Sequence, residues 1–253
     1  MTHMLFTLLQ AGYYAEPASG AAHYSAATMG MFVLIIVIGI AGYAVQARLQ
    51  SVFRKYSKVQ FPGGLTGAEV AEKMLRDNNI HNVKVTHVGG NLTDHFNPQT
   101  MTVNLSDSVY SSSSVAAAAV AAHECGHAVQ HAHAYAPLKM RSSLVPVISF
   151  ASNWMMWVLL IGMFTLNVFP QIMLFGIILF AATTLFSFIT LPVEIDASRR
   201  AVKWLSEAGV TNNRNYGAAV SALRSAAYTY VVAALGSLAT LLYYVMIFLG
   251  RRD

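Results

Sequence analysis

Apolar positions in this chain gather into long charge-free stretches, separated by segments where polar and apolar residues mix. The first such stretch is centred on Met29–Gln46. The second, Ser142–Val193, has no charged residue and is long enough for two helices, with Asn167-Val168-Phe169-Pro170-Gln171 breaking it in the middle. The third is Tyr228–Leu249. A helix needs about 20 apolar residues to cross a bilayer. The pattern predicts a first span over 29–46, a hairpin over 144–191 (Leu144–Leu166 and Gln171–Leu191), and a last span over 228–249. Any one stretch could be a buried helix of a soluble protein, but four together argue for a membrane protein.

The segment 47–141 has a different pattern. Thr66-Gly67-Ala68-Glu69 reads as a capping box, opening a helix that buries Val70, Ala71, Met74 and Leu75 and ends near Asn78-Asn79. Val83–Val88 alternates like a strand, and Gly89-Gly90 makes a turn. Asn91–Phe96 and Thr100–Leu105 are expected to pair around Asn97-Pro98-Gln99. Thr100–Leu105 is a candidate edge strand for an extended peptide, with an ordinary core strand as the equal alternative. Ser111–Ser114 supply N-cap candidates for an alanine-rich helix from Val115. The expected fold is a mostly α membrane protein of about four transmembrane helices, with a small cytoplasmic α/β region leading into that helix. Residues 192–227 are expected to form further cytoplasmic helices.

Composition agrees: hydrophobic residues make up 55% and charged residues 11%, against about 25% charged in soluble proteins. The single cysteine excludes an internal disulfide. Met1–Gln10 is short and lacks Lys or Arg, so no cleavable signal peptide is read there. The net charge of +5 raises nucleic acid as a partner. However, the basic residues sit beside apolar spans, so membrane topology explains them and no nucleic acid is expected. Nine Lys and Arg lie between the first span and the hairpin, and five (Arg199, Arg200, Lys203, Arg214, Arg224) between the hairpin and the last span. Positive charge favours the cytoplasmic side. Both segments should then be cytoplasmic and the tail 1–28 outside, with Arg251 and Arg252 in weak dissent.

His123-Glu124-Cys125-Gly126-His127 carries the chemistry. Residues four apart on a helix share one face, so His123 and His127 can offer two imidazoles to one metal ion. Glu124 is rotated about 100° from His123 and suits a general base for an attacking water. Two helical histidines and a flanking glutamate read as the site of a zinc peptidase. Gly126 suggests a close backbone approach, and Cys125 reads as packing.

A catalytic zinc takes a third protein ligand and keeps a place for water. Among Glu194, Asp196, Glu207, His95, His131 and His133, Glu194 is best placed. It follows a span directly, on the side assigned to His123, and Pro192 could open the helix that carries it. Ser198 shares its face and can bond a ligand. Asp196 reads as a cap or a partner for Arg199 or Arg200. His95 and Tyr230 are candidate oxyanion donors.

The chain resembles the YugP-type bacterial membrane zinc metallopeptidases from Tyr56 onward. The resemblance rests on Gly67–Ala71, Leu92–Phe96, Ala122–Ala128, Tyr135–Leu138 and Leu191–Glu194, continued by Ala197–Ala201. In motif it is also similar to HtpX-like and CAAX prenyl peptidases, which commonly have Asp where this chain has Ser198. The resemblance implies a multi-pass protein of the bacterial inner membrane, and the Lys and Arg count places its zinc at the cytoplasmic side. It implies cleavage of protein or peptide substrates, membrane proteins among them, in turnover or quality control. A homo-oligomer or scaffold partner is left open. The alternative is a catalytically silent zinc protein acting as client-binding adaptor or metal sensor. A transporter is disfavoured because the spans carry no charge.

Overall fold

The computed structural model describes residues 19–60, 63–211 and 215–250. Most of the expected outer tail, together with Arg214, Arg251 and Arg252, lies outside the described residues. Four long helices dominate: α1 (Ser19–Tyr56), α5 (Ala136–Phe164), α6 (Pro170–Glu207) and α7 (Tyr216–Gly250). Each is long and apolar enough to cross a membrane. The helices α5 and α6 form a hairpin through a tight turn at 165–169. There Thr165 Oγ1 donates to Ile161 O, and Pro170 sits in the first turn of α6, where no N–H is needed. Gly162 lets α5 approach α6 closely, since a Cβ there would lie 2.6 Å from Met173 Cα. The helix α7 packs between α6 and α1. Exposed Phe32, Val33, Ile36 and Ile40 on α1 and Phe150, Trp154 and Trp157 on α5 give the bundle an apolar exterior.

Pro192 does not open a separate helix over 192–227: α6 runs unbroken from Pro170 to Glu207. A proline removes one helical hydrogen bond and crowds the turn before it. Here packing against α4 and α7 on either side carries the helix through. Glu194 is therefore rigidly continuous with a membrane-spanning helix.

The remaining elements are α2 (Gly67–Asp77), β1 (Lys84–Val88), β2 (His95–Asn97), β3 (Thr102–Ser106), α3 (Asp107–Tyr110) and α4 (Val115–Ala132). The α2 capping box is complete, with Thr66 Oγ1 accepting from Glu69 N and Glu69 Oε2 accepting from Thr66 N. The strand order is β1-β3-β2, with β1 parallel and β2 antiparallel to β3. This corrects the edge-strand expectation for Thr100–Leu105. The strand within it, β3, is central, and its Val103 and Leu105 are fully buried. The edges are β1 and the short β2, and β2 faces α4.

The helix α4 joins the two halves. Ser114 Oγ caps it by accepting from Ala117 N. Nearly all of it is buried, one flank against α2 and the sheet and the other against α6 and α7. Its small residues allow this, most sharply at Gly126, where a Cβ would lie 2.6 Å from the carbonyl oxygen of Ala197 on α6. Elsewhere in a helix, Gly→Ala stabilises by about 1 kcal/mol. Here Gly126→Ala should destabilise, by roughly 1–3 kcal/mol from overpacking. Thermal unfolding in detergent checks this, and a variant melting at or above the parent temperature would refute it.

Candidate metal centre

The α4–α6 crossing brings His123, His127 and Glu194 together, with one potential ligand atom of each within 4.8 Å of the others. One turn of α4 brings the two imidazoles edge to face, with ring centroids 4.8 Å apart. Glu194 Oε2 lies 3.3 Å from His123 Nε2 and 3.7 Å from His127 Nε2.

Hydrogen bonds fix which imidazole nitrogens face inward. Gln130 Nε2 donates to Val193 O at 2.8 Å and to Asp196 Oδ2 at 2.9 Å. With its NH₂ so engaged, Gln130 must present its carbonyl Oε1 to His127 Nδ1, 3.0 Å away. That nitrogen therefore donates, and His127 Nε2 is left pointing at Glu194. Asp196 is itself held by Arg200 Nε at 2.6 Å, and the Arg200 guanidinium lies over the Tyr135 ring. His123 Nδ1 is 3.1 Å from Ser198 Oγ. Both histidines thus have Nδ1 occupied from behind and Nε2 directed at the gap, the arrangement a metal-binding imidazole requires.

Glu194 is only 3% exposed. Its other oxygen, Oε1, is 3.3 Å from Arg141 Nη1 of α5. A buried carboxylate needs such partners. Burial alone would lower the pKa of His127. The bond to Glu194, the fields of Glu124 and Glu194, and Gln130 outweigh burial and raise it above the ordinary histidine value. A proton and a divalent cation thus compete for the same position. Burial, reinforced by Glu124, raises the Cys125 thiol above its ordinary value, and its Sγ donates to Ala71 O at 3.5 Å. It packs as a neutral thiol.

Glu124 stands beside this trio, and its Oε2 accepts from Phe96 N on β2 at 3.1 Å. Both border a cleft of about 350 Å³, which is also lined by Tyr230, Arg141 and, from one face of α5, Leu138, Ser142 and Val145. His95 lines the cleft too, but its ring is engaged, with Nδ1 on Thr93 O at 2.8 Å and Nε2 on Asn104 Nδ2 at 3.2 Å. His131 packs on Phe96, His133 bonds Val129 O at the end of α4, and Glu207 pairs with Lys203. None of these, nor Asp196, joins the three-residue group. Sequence reasoning missed Gln130, Arg141 and the Phe96 N–H. Two signals were present: a glutamine one turn after His127, and an arginine immediately before a long charge-free stretch.

Two histidines from one helix turn and a buried carboxylate from a membrane helix form a donor set suited to zinc. The class this defines is a membrane protein with a zinc site. The chain belongs to the family described as "putative neutral zinc metallopeptidase", whose model matches residues 31–249. It is 43% identical over 225 residues to a Bacillus subtilis (strain 168) protein named "Putative membrane protease YugP", covering 88% of this chain and 98% of that one. No solved structure matches the chain. The chain is thus a member of a zinc metallopeptidase family, with four helices long and apolar enough to cross a membrane.

The supports behind the trio are testable by metal affinity. Gln130→Ala, Ser198→Ala and Arg141→Gln should each weaken zinc binding by about 10–100-fold, measured by competition with a chromophoric chelator. Parent-level affinity in all three would mean that these contacts do not hold the trio.

Proposed function

We propose that this protein is an integral membrane zinc endopeptidase. It hydrolyses peptide bonds of proteins at the cytoplasmic face, in membrane protein turnover or quality control. The observation that carries the reading is the convergence of two Nδ1-anchored histidines and a buried Glu194 on one point, with Glu124 beside them in an open cleft. His123, His127 and Glu194 would hold a zinc ion, which when bound would supply Lewis-acid polarisation of the scissile carbonyl and of a water. The chain's own groups do the rest. Glu124 takes a proton from the attacking water and delivers it to the leaving amine. Phe96 N–H holds Oε2 of Glu124, which leaves Oε1 for the water. Tyr230, which lines the cleft and bonds Glu194, is the oxyanion donor in this reading, since both ring nitrogens of His95 are engaged by Thr93 and Asn104. Arg141 holds one oxygen of Glu194, so that the other faces the histidines.

The cleft supports the substrate class. Ser142 and Val145 line it and belong to the charge-free part of α5. A peptide reaching Glu124 therefore lies against a membrane helix, which suits juxtamembrane or misfolded segments of membrane proteins. An extended substrate would run along β2, the strand that borders the cleft. The rival reading, a silent zinc adaptor or sensor, would favour a fourth protein ligand closing the site. Among the described residues the group numbers three.

Glu124→Gln separates the two readings. It keeps shape and polarity but cannot accept the proton. It should retain zinc and client binding while turnover falls about 10²-fold or more, read by mass spectrometry of membrane-protein cleavage in detergent. Zinc-loaded Glu124→Gln cleaving at the parent rate would remove Glu124 from the mechanism.

Sidedness is tested by cysteine labelling in a Cys125→Ala background. Positions 167–171 should label from outside, and positions 58 and 203 only after permeabilisation. Outside labelling at 203 would sink the cytoplasmic assignment.

A further inference from the structure

A second cavity of about 560 Å³ lies between α6 and α7, sharing no residue with the cleft beside Glu124. Three cations line it: Arg199 and Lys203 from α6 and Arg224 from α7. Its one acidic residue, Glu207, lies 3.8 Å from Lys203. Among the described residues, the basic–acidic pairs within α6 join Arg200 to Asp196 and Lys203 to Glu207, and Arg199 and Arg224 stand outside both. The cavity thus gathers an excess of positive charge: Arg199 reaches Asp196 only through its field, and Arg224 makes no ion pair among the described residues.

Its depth relative to the membrane is informative. Arg199 follows Val193, the last residue of the charge-free stretch, by six residues, or about 9 Å of helix. Arg224 precedes Tyr228 by four, about 6 Å. Helical side chains lean toward the N-terminus, so Arg199 leans back toward the membrane and Arg224 away from it. Both converge on the headgroup layer, which adds about 5–7 Å to each side of the hydrocarbon core. The groove is also graded along its length. Ile195 and Ala227 form its membrane end, and Ile195 is 41% exposed. Free phosphate would use the cations and leave that apolar end bare. A lipid headgroup with its glycerol and first methylenes uses both.

We propose that this groove binds an anionic phospholipid, its phosphate held by Arg199, Arg224 and Lys203 and its glycerol end against Ile195 and Ala227. This requires nothing of the zinc chemistry, so it stands or falls separately from the peptidase reading. Ser198 lines the groove and bonds His123 Nδ1, which places the lipid one side chain from the metal centre.

The test is native mass spectrometry of the full chain in detergent, titrated with phosphatidylglycerol or phosphatidylcholine. The parent protein should retain phosphatidylglycerol at least about tenfold more tightly. Each cation near the surface is worth roughly fivefold, so the combined Arg199→Gln, Lys203→Gln, Arg224→Gln variant should lose the preference. Arg48→Gln with Arg54→Gln, at the basic end of α1, should keep it. Should the triple variant fail to fold, by melting temperature, Arg224→Gln alone should still weaken retention about fivefold. Equal retention of the two lipids by the parent protein would overturn the proposal. So would a preference that survives these substitutions, or displacement of the lipid by excess inorganic phosphate.

Discussion

The near-contact of α4 and α6 at Gly126 is the constraint on which the site depends. His123 and His127 bracket that glycine on one helix, and Glu194 precedes the opposing Ala197 by three residues on the other. Carboxylate and imidazole side chains are short, so they meet only where the two backbones nearly touch. A Cβ at 126 would lie 2.6 Å from the Ala197 carbonyl oxygen. The helix-weakening glycine thus sets the spacing of the donor set.

Electrostatics then decides how that geometry is held. Glu194 is buried, and leaving such a carboxylate unpaired costs several kcal/mol. The chain surrounds it with Arg141 on one oxygen and the two histidines on the other. The raised His127 pKa belongs to the same balance, because a proton on Nε2 is the only positive charge His127 can offer to Glu194. Glu194, Gly126 and Arg141 come from three helices, and two of these cross the membrane by length and composition. The centre is therefore tied to the packing of the hairpin, and movement of α5 against α6 would be felt at Glu194 through Arg141.

Local rules made much of this legible. The span pattern, the Thr66 capping box and the i, i+4 spacing of His123 with His127 and of Glu194 with Ser198 each depend on helix periodicity alone. What escaped depends on tertiary context. Pro192 looked like a helix start because a proline usually is one, but neighbours on both sides held α6 through it. The strand order β1-β3-β2 could not follow from alternation, which says which face is buried and not which strand is central. Gln130 and Arg141 gave only weak signals, because a glutamine one turn past a histidine is ordinary until Asp196 and Val193 fix its amide orientation.

Ser198 is where this chain departs from the HtpX-like and CAAX prenyl peptidases it resembles in motif, and the structure gives the departure a physical sense. A carboxylate behind His123 would make that imidazole a stronger donor; a hydroxyl does so less, and adds no charge. Negative charge is instead placed behind His127, one residue removed, as Asp196 acting through the neutral amide of Gln130. Arg200 neutralises Asp196 in turn. The two histidines are therefore unequal, and neither is backed directly by an anion. A cation held here would have Glu194 as its one charged ligand, with Glu124 alongside. The Ser198 hydroxyl behind His123 would quench less of such a cation's charge than a carboxylate there, leaving more of it for the polarisation proposed above.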